Sequence, residues 1–374
     1  MRKRSRGWIG FALFLLGFAC FAFAPLARWA RAALFLERLA QKPAVTTTAT
    51  VAPVVVSREL TIDGEQGPIR ARLYFRADRP RGMGIVVGHG VHYRGIDEAR
   101  LTPFARALAE SGLVVLTPEL AELADYRITP ASVSVLRRSV AYLASDHIHV
   151  VSERVGLLGF SFAGGLSLVA AEDPETARRL SFVTSVGGHH DLRRVLRFLI
   201  HDEIETPTGV VHSPANEYGL VVLLYGNLEH FVPAADLQPM RAGFKAWLQE
   251  DRPRARELAK LRTTPEANAL WQLLETQRLQ TLAPRLDALL ESQQGQLSSL
   301  SAVGHLKGLG LPVYLLHGAH DTVIPASETD AAGIELSANE HQSLVSPLIE
   351  HVEVAHQASY TDKLALVSFM AHML

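Results

Sequence analysis

The chain has 374 residues, of which 48% are hydrophobic and 20% charged, and its formal net charge is -1. That composition excludes a disordered chain, and the balanced charge supplies no global field to draw it to nucleic acid or anionic lipid. Its one cysteine, Cys20, excludes an intrachain disulfide and leaves the redox compartment unreadable.

The chain opens with Arg2, Lys3, Arg4 and Arg6, followed by an uncharged run from Trp8 to Ala27. Twenty residues at about 1.5 Å rise each span about 30 Å, the thickness of a bilayer's hydrocarbon core. Residues 8–27 therefore read as a transmembrane helix with the lipid bilayer as partner. A cleaved signal peptide is the competing reading. Its clean small-x-small site, Ala22-Phe23-Ala24, is followed by Pro25, and the residues before Cys20 make a poor lipobox. The basic flank favours a cytoplasmic N-terminus, with the body periplasmic or otherwise extracytoplasmic. Apolar and basic residues mix at helical spacing from Arg28 to Leu39, as in a helix at the interface. Residues 1–41 thus form an expected anchor and juxtamembrane helix, and residues 42–53 a linker.

From Val54 the pattern alternates strands and helices. Val54–Ile62 and Ile69–Arg76 read as an antiparallel hairpin. Short apolar runs follow at Gly84–Gly88, Leu113–Thr117, Val155–Leu158, Ser181–Val186, Pro312–Leu316 and Leu348–Val354, as expected for strands covered on both faces. Helical patterns stand between several of them, at Leu101–Glu110, Val133–Leu143, Phe162–Ala171 and Lys363–Met373. The expectation is an α/β fold with a mostly parallel sheet and an antiparallel edge. Its core is split into residues 54–191 and 311–374. Residues 192–310 break the alternation with proline-separated helical segments and read as a helical cap insertion. Within it Val221–Tyr225 suits a strand or a buried helix equally.

The segment Val155-Gly-Leu-Leu-Gly-Phe-Ser-Phe-Ala-Gly-Gly165 runs from a strand into a helix and places Ser161 at the turn between them. A nucleophile elbow needs this arrangement, with small neighbours that let the chain turn sharply and expose the serine Oγ. Ala163 replaces the last glycine of the usual G-x-S-x-G. Serine needs a base, which in this plan comes last in the chain with the acid before it. His356 stands ahead of the final helix. Asp321, in His317-Gly-Ala-His-Asp-Thr-Val-Ile-Pro325, is the acid candidate, and Asp191, in Gly187-Gly-His-His-Asp191, is its rival. The oxyanion donors are expected to be the backbone N–H groups of Phe162 and of Val91, the latter in Gly88-His89-Gly90-Val91-His92.

The elbow, the His89-Gly90 loop, the His317-Gly318-x-x-Asp321 turn and the late His356 together resemble the α/β-hydrolase superfamily. The short elbow is similar to the dienelactone hydrolase and acyl-peptidase-like branch, although dienelactone hydrolases use cysteine where this chain has serine. The resemblance implies a serine hydrolase that cleaves ester, thioester or amide bonds of small-molecule acyl substrates through an acyl-enzyme. Acyl transfer with the same triad, or a non-catalytic binding protein on the same scaffold, are the alternatives.

Sixteen histidines invite a metal reading. The adjacent pair His189 and His190 is a poor chelate, since neighbours along a strand point opposite ways, and no His-x-x-x-His pattern accompanies it. No metal and no cofactor are expected. No glycine loop with a phosphate-binding lysine is present, which disfavours a nucleotide enzyme. His92, Tyr93 and Arg94 stand where they could line a pocket mouth or simply occupy a surface loop.

Overall fold

The computed structural model describes residues 26, 28–39, 53–206, 209–350, 353–354 and 359–373. They divide between two compact units. One comprises residues 1–51 and 356–374, the other residues 52–355. In the smaller unit residues 28–39 are helical (α1), with Ala32 and Phe35 buried. The same unit holds the last helix, described below. The apolar run 8–27 and the linker 42–53 lie almost entirely outside the described residues. Among those described, no helix is long and apolar enough to cross a membrane.

The larger unit opens with β1 (Val55–Gly64) and β2 (Gly67–Arg76), paired antiparallel about a tight turn. Gly67 has φ +123°, a backbone region L side chains rarely adopt, which is why glycine stands there. β3 (Gly84–Gly88) leads to α2 (Leu101–Glu110), and β4 (Val114–Pro118) to α3 (Ala121–Ala124) and α4 (Pro130–Ala144). β5 (Val155–Phe160) enters α5 (Phe162–Ala171), then α6 (Pro174–Arg179) and β6 (Leu180–Val186) follow. Every residue of β3 and β4 is buried, so their uninterrupted apolar sequences suit a sheet covered on both faces.

The insertion follows β6. It comprises α7 (Leu192–His201), the hairpin β7 (Glu203–Thr206) and β8 (Gly209–His212), then α8 (Glu217–Gly226), α9 (Ala234–Leu248), α10 (Arg252–Ala259), α11 (Pro265–Glu275), α12 (Ala283–Ser292) and α13 (Gln294–Ser299). Polar side chains cap several of these helices: Asp191 starts α7, Asn216 α8, Asp251 α10 and Thr264 α11, each accepting from backbone N–H groups of the first turn. Trp271 of α11 packs edge-on against Phe244 and Trp247 of α9, giving the insertion a core of its own. Val221–Tyr225, open between strand and helix in the sequence, is the buried middle of α8. The exposed hairpin β7–β8 is not legible in the sequence, because each strand has only four residues.

The chain then returns to the sheet as β9 (Val313–Gly318), followed by α14 (Ser327–Glu335) and β10 (His341–Ser346). The eight strands lie in the order β1-β2-β4-β3-β5-β6-β9-β10, and all neighbours from β4 onward are parallel. One expectation fails here. The last strand of the main sheet is His341–Ser346, whereas Ile349–Glu350 pairs antiparallel with Glu353–Val354 in two rungs apart from it. β10 is an edge strand with few apolar residues, so the apolar run beyond it carried the false signal. The final helix, α15 (Tyr360–Met373), belongs to the smaller unit.

Candidate active site

Ser161 sits between β5 and α5 with φ 54° and ψ −132°. A non-glycine residue in that region costs on the order of 1–3 kcal/mol and persists only where its surroundings enforce it. Here they do so from both sides: Ser161 N donates to Val186 O at 2.8 Å, and Ser161 O accepts from Gly164 N at 2.7 Å. A Cβ added at Gly159 would lie 2.1 Å from the Ala163 carbonyl oxygen, so only glycine lets the strand reach the turn. The Ala163 methyl is accommodated, buried in the core.

Parallel register brings Ser161, the His89–Val91 loop and the turn that carries Asp321 to one edge of the sheet. Phe160 pairs with Val186 and Val186 with Leu316, so Ser161 and Gly187 leave the carboxyl ends of β5 and β6 level with His317, the next-to-last residue of β9. With strands about 4.8 Å apart, the loops after β5 and β9 are about 10 Å apart at their roots. On the other side, Gly88 of β3 pairs with Gly159. A Cβ added at Gly90 would meet the Ser161 Cβ at 3.1 Å and its Oγ at 3.7 Å. The His89–Val91 loop is therefore packed against the serine.

That loop is braced from inside. His89 is buried, and its Nε2 accepts from Leu120 N at 2.9 Å, which assigns the proton to Nδ1. Nδ1 then donates to Gly90 O at 2.8 Å and fixes the Gly90–Val91 peptide, whose N–H is the expected oxyanion donor. Burial pushes the His89 imidazole down to about 4, so it is neutral at pH 7. Farther along, Ile96 N donates to Glu119 Oε2 at 3.1 Å. Phe162 N is in the first turn of α5, where backbone N–H groups lack intrahelical acceptors and the helix dipole favours negative charge.

Asp321 is buried, and its Oδ1 accepts from Val323 N at 2.8 Å and Ile324 N at 3.0 Å. These bonds fix the carboxylate plane. The Oδ2 stands 3.5 Å from His317 Nε2, but that ring is fully committed, with Nε2 2.8 Å from Ile324 O and Nδ1 2.8 Å from Thr329 Oγ1. His317 therefore holds the turn's shape and is not a free base. His356 lies outside the described residues. The rival acid Asp191 is engaged in the same way, its Oδ1 accepting from Arg193 N and Arg194 N, where it caps α7.

His189 and His190, in the loop after β6, turn to different partners. His189 Nε2 reaches Leu300 O at 2.8 Å, while His190 Nε2 reaches Glu335 Oε2 at 2.7 Å. Among the described residues no three His, Cys, Asp or Glu side chains converge as a metal site. His92 stacks on Tyr93 with ring centroids 4.8 Å apart, and its Nδ1 accepts from Arg94 N, so this trio forms one ordered turn.

The insertion touches three loops at this edge. Tyr218 Oη donates to Val91 O at 3.3 Å, Asn216 N to Thr322 O at 2.8 Å and Ala302 N to His190 O at 2.9 Å. Sequence reasoning did not find Tyr218. Its partner lies 127 residues away and no local motif marks it.

No family model matches the sequence, and no curated protein matches it. Solved structures are similar in fold. An esterase of Pyrobaculum calidifontis is 16% identical over 92% of this chain and 90% of that one, with a TM-score of 0.46. Brefeldin A esterase, described as a bacterial homologue of human hormone-sensitive lipase, is 13% identical over 94% and 84%, with a TM-score of 0.49. An acylaminoacyl peptidase in complex with Z-Gly-Gly-Phe-chloromethyl ketone is 11% identical over 85% of this chain and 41% of that one, at 0.50. With a strained serine between β5 and α5 at the carboxyl edge of this sheet, the chain has the α/β-hydrolase fold.

Proposed function

We propose that the chain is a serine hydrolase that cleaves ester bonds, or thioester or amide bonds, of small to medium hydrophobic substrates. The observation that carries this reading is the left-handed backbone of Ser161, held between strand and helix with Gly90 packed against its side chain. Strain of that kind has no use in a plain strand-to-helix turn.

In the proposed reaction His356 removes the Ser161 hydroxyl proton as Oγ attacks the substrate carbonyl. Asp321 orients the imidazole and stabilises imidazolium. The N–H groups of Val91 and Phe162 receive the oxyanion. Collapse breaks the bond to the leaving group, which takes the proton from His356 and leaves an acyl-serine. Water then attacks that ester and gives its proton to His356, which passes it to Ser161 Oγ as the C–O bond breaks, releasing the acid and free serine. No cofactor or metal is invoked. Asp321 is taken as the acid on its motif and its burial, since each carboxylate accepts two backbone N–H groups of its own turn and Asp191 is the more exposed.

The insertion is proposed to select the acyl group, because it contacts the loops after β3, β6 and β9. Residues 8–27 are proposed as a bilayer anchor with the body outside the cytoplasm. In full-length protein this predicts retention in membranes through a carbonate wash, and release would instead point to a cleaved signal. The function itself is tested with a fluorophosphonate probe and a panel of p-nitrophenyl esters. Labelling should map to Ser161, and Ser161→Ala should lose both label and turnover. Full ester turnover in that variant would sink the mechanism.

A further inference from the structure

Glu328 stands in the first turn of α14, just beyond the turn that carries Asp321. It is 1% exposed, and an ionised carboxylate that deep persists only where donors surround it. Here they do. Oε2 accepts from His190 N at 2.9 Å, Asp191 N at 2.8 Å and Arg194 Nη2 at 3.0 Å, while Oε1 accepts from Arg194 Nε. One side chain thereby joins α14 to the loop after β6 and to the first turn of α7, where the insertion begins.

The same helix carries a second carboxylate about two turns farther on, on the same side. Glu335 accepts from His190 Nε2 at 2.7 Å, Gly304 N at 2.9 Å and Leu306 N at 2.8 Å. It holds the segment by which the insertion returns to β9, as Glu328 holds the start. The two segments are also joined directly, Ala302 N to His190 O at 2.9 Å and Leu192 N to Ser301 Oγ at 2.9 Å.

The two carboxylates differ in what lies next to them. Beside Glu328, Thr329 Oγ1 donates to His317 Nδ1 at 2.8 Å, and His317 Nε2 donates to Ile324 O at 2.8 Å. Ile324 N in turn donates to Asp321 Oδ1 at 3.0 Å. A shift at Glu328 therefore reaches Asp321 through groups bonded in series. Among the described residues Glu335 bonds to none of these groups.

We propose that Glu328 is a positioning residue: its bonds to His190, Asp191 and Arg194 hold the first turn of α14 so that the Asp321 carboxylate keeps its aim. The proposal rests on the hydrolase reading and adds to it a residue outside the triad. A misplacement of about 1 Å can cost on the order of a hundredfold in rate, so even partial loosening of this turn should register in kcat.

The test pairs Glu328→Gln with Glu335→Gln in the full-length protein, on p-nitrophenyl butyrate. Each glutamine keeps the side-chain shape and removes the charge, and each should lower the melting temperature. In Glu328→Gln kcat should fall about tenfold with KM within about twofold, because the acid turn and not the substrate contacts is loosened. With Asp321 less well aimed, imidazolium is less stabilised, so the acidic limb of kcat/KM should move to lower pH by roughly half a unit. Glu335→Gln should keep the wild-type kcat and the wild-type limb. Amide exchange at Val323 and Ile324, the donors to Asp321 Oδ1, should speed up about tenfold in Glu328→Gln alone, a readout independent of turnover. Arg194→Met leaves the two backbone donors in place and should show the same changes at smaller size; it replaces Glu328→Gln if that protein does not fold. Wild-type amide exchange in the Glu328 variant, or equal kinetic losses in the Glu328 and Glu335 variants, would overturn the proposal. Neither ester turnover nor fluorophosphonate labelling in the wild-type protein would overturn the hydrolase reading instead, and amide exchange would still report whether Glu328 holds the turn.

Discussion

Tyr218, in the first turn of α8, donates its hydroxyl to the carbonyl oxygen of Val91 across 3.3 Å, and so ties the insertion to the loop packed on Ser161. Val91 is held on both sides, because His89 Nδ1 fixes the preceding carbonyl of Gly90. Its N–H, the proposed oxyanion donor, is thereby aimed by one residue of the core and one of the insertion. Burial keeps the Tyr218 phenol protonated and able to donate. Tyr218→Phe should lower kcat several-fold, in line with about 1 kcal/mol for one hydrogen bond, while probe labelling of Ser161 persists. A kcat equal to wild type would separate the insertion from the oxyanion loop.

Asp321→Asn should cut turnover by roughly three orders of magnitude with the fold retained, since imidazole loses its orienting carboxylate. Asp191→Asn should be nearly silent, because asparagine caps a helix as well as aspartate does. Asp191→Ala should cost about 1 kcal/mol of stability through the lost cap on α7. Steady-state kinetics and thermal melts on the three variants decide the matter. A severe catalytic loss in Asp191→Asn beside a mild one in Asp321→Asn would reverse the assignment of the acid.

His89 gives a pH signature. Its folded-state value of about 4 lies below the unfolded 6.5. Between those values the unfolded chain binds the extra proton, so stability falls as pH drops through the window from about 6.5 to about 4. The slope reaches up to about 1.4 kcal/mol per pH unit. Protonation of Nε2 also removes the acceptor for Leu120 N. His89→Gln should flatten the melting-temperature profile across that window. Parallel profiles for variant and wild type would assign the acid sensitivity to other groups.

Two glycines separate fold from chemistry. Gly159→Ala would force a methyl to 2.1 Å from the Ala163 carbonyl oxygen, a backbone atom with nowhere to retreat, and should prevent a native elbow from forming. Gly90→Ala meets Ser161 Cβ at 3.1 Å, a contact that small shifts relieve. It should melt near the wild-type temperature yet lose activity, most of all toward bulky acyl groups. Circular dichroism beside ester kinetics distinguishes the two. A Gly159→Ala protein as stable and active as wild type would contradict the crowding described at the turn.

The sequence by itself determined the local plan. The apolar runs of β3 and β5 and the Gly159-to-Gly165 turn could be read because each depends on neighbours within a few residues. Strand burial leaves a continuous apolar run, and an elbow needs small residues at fixed offsets. The edge strand β10 was misplaced onto Leu348–Val354 for the complementary reason, since an edge needs little apolar sequence. Only the tertiary structure decided what Asp191 and His317 do. Only the tertiary structure brought Tyr218 to Val91 and His190 to Glu335. Those relationships join residues far apart in the chain, and their physical cause is packing between the insertion and the sheet edge, which no local pattern encodes.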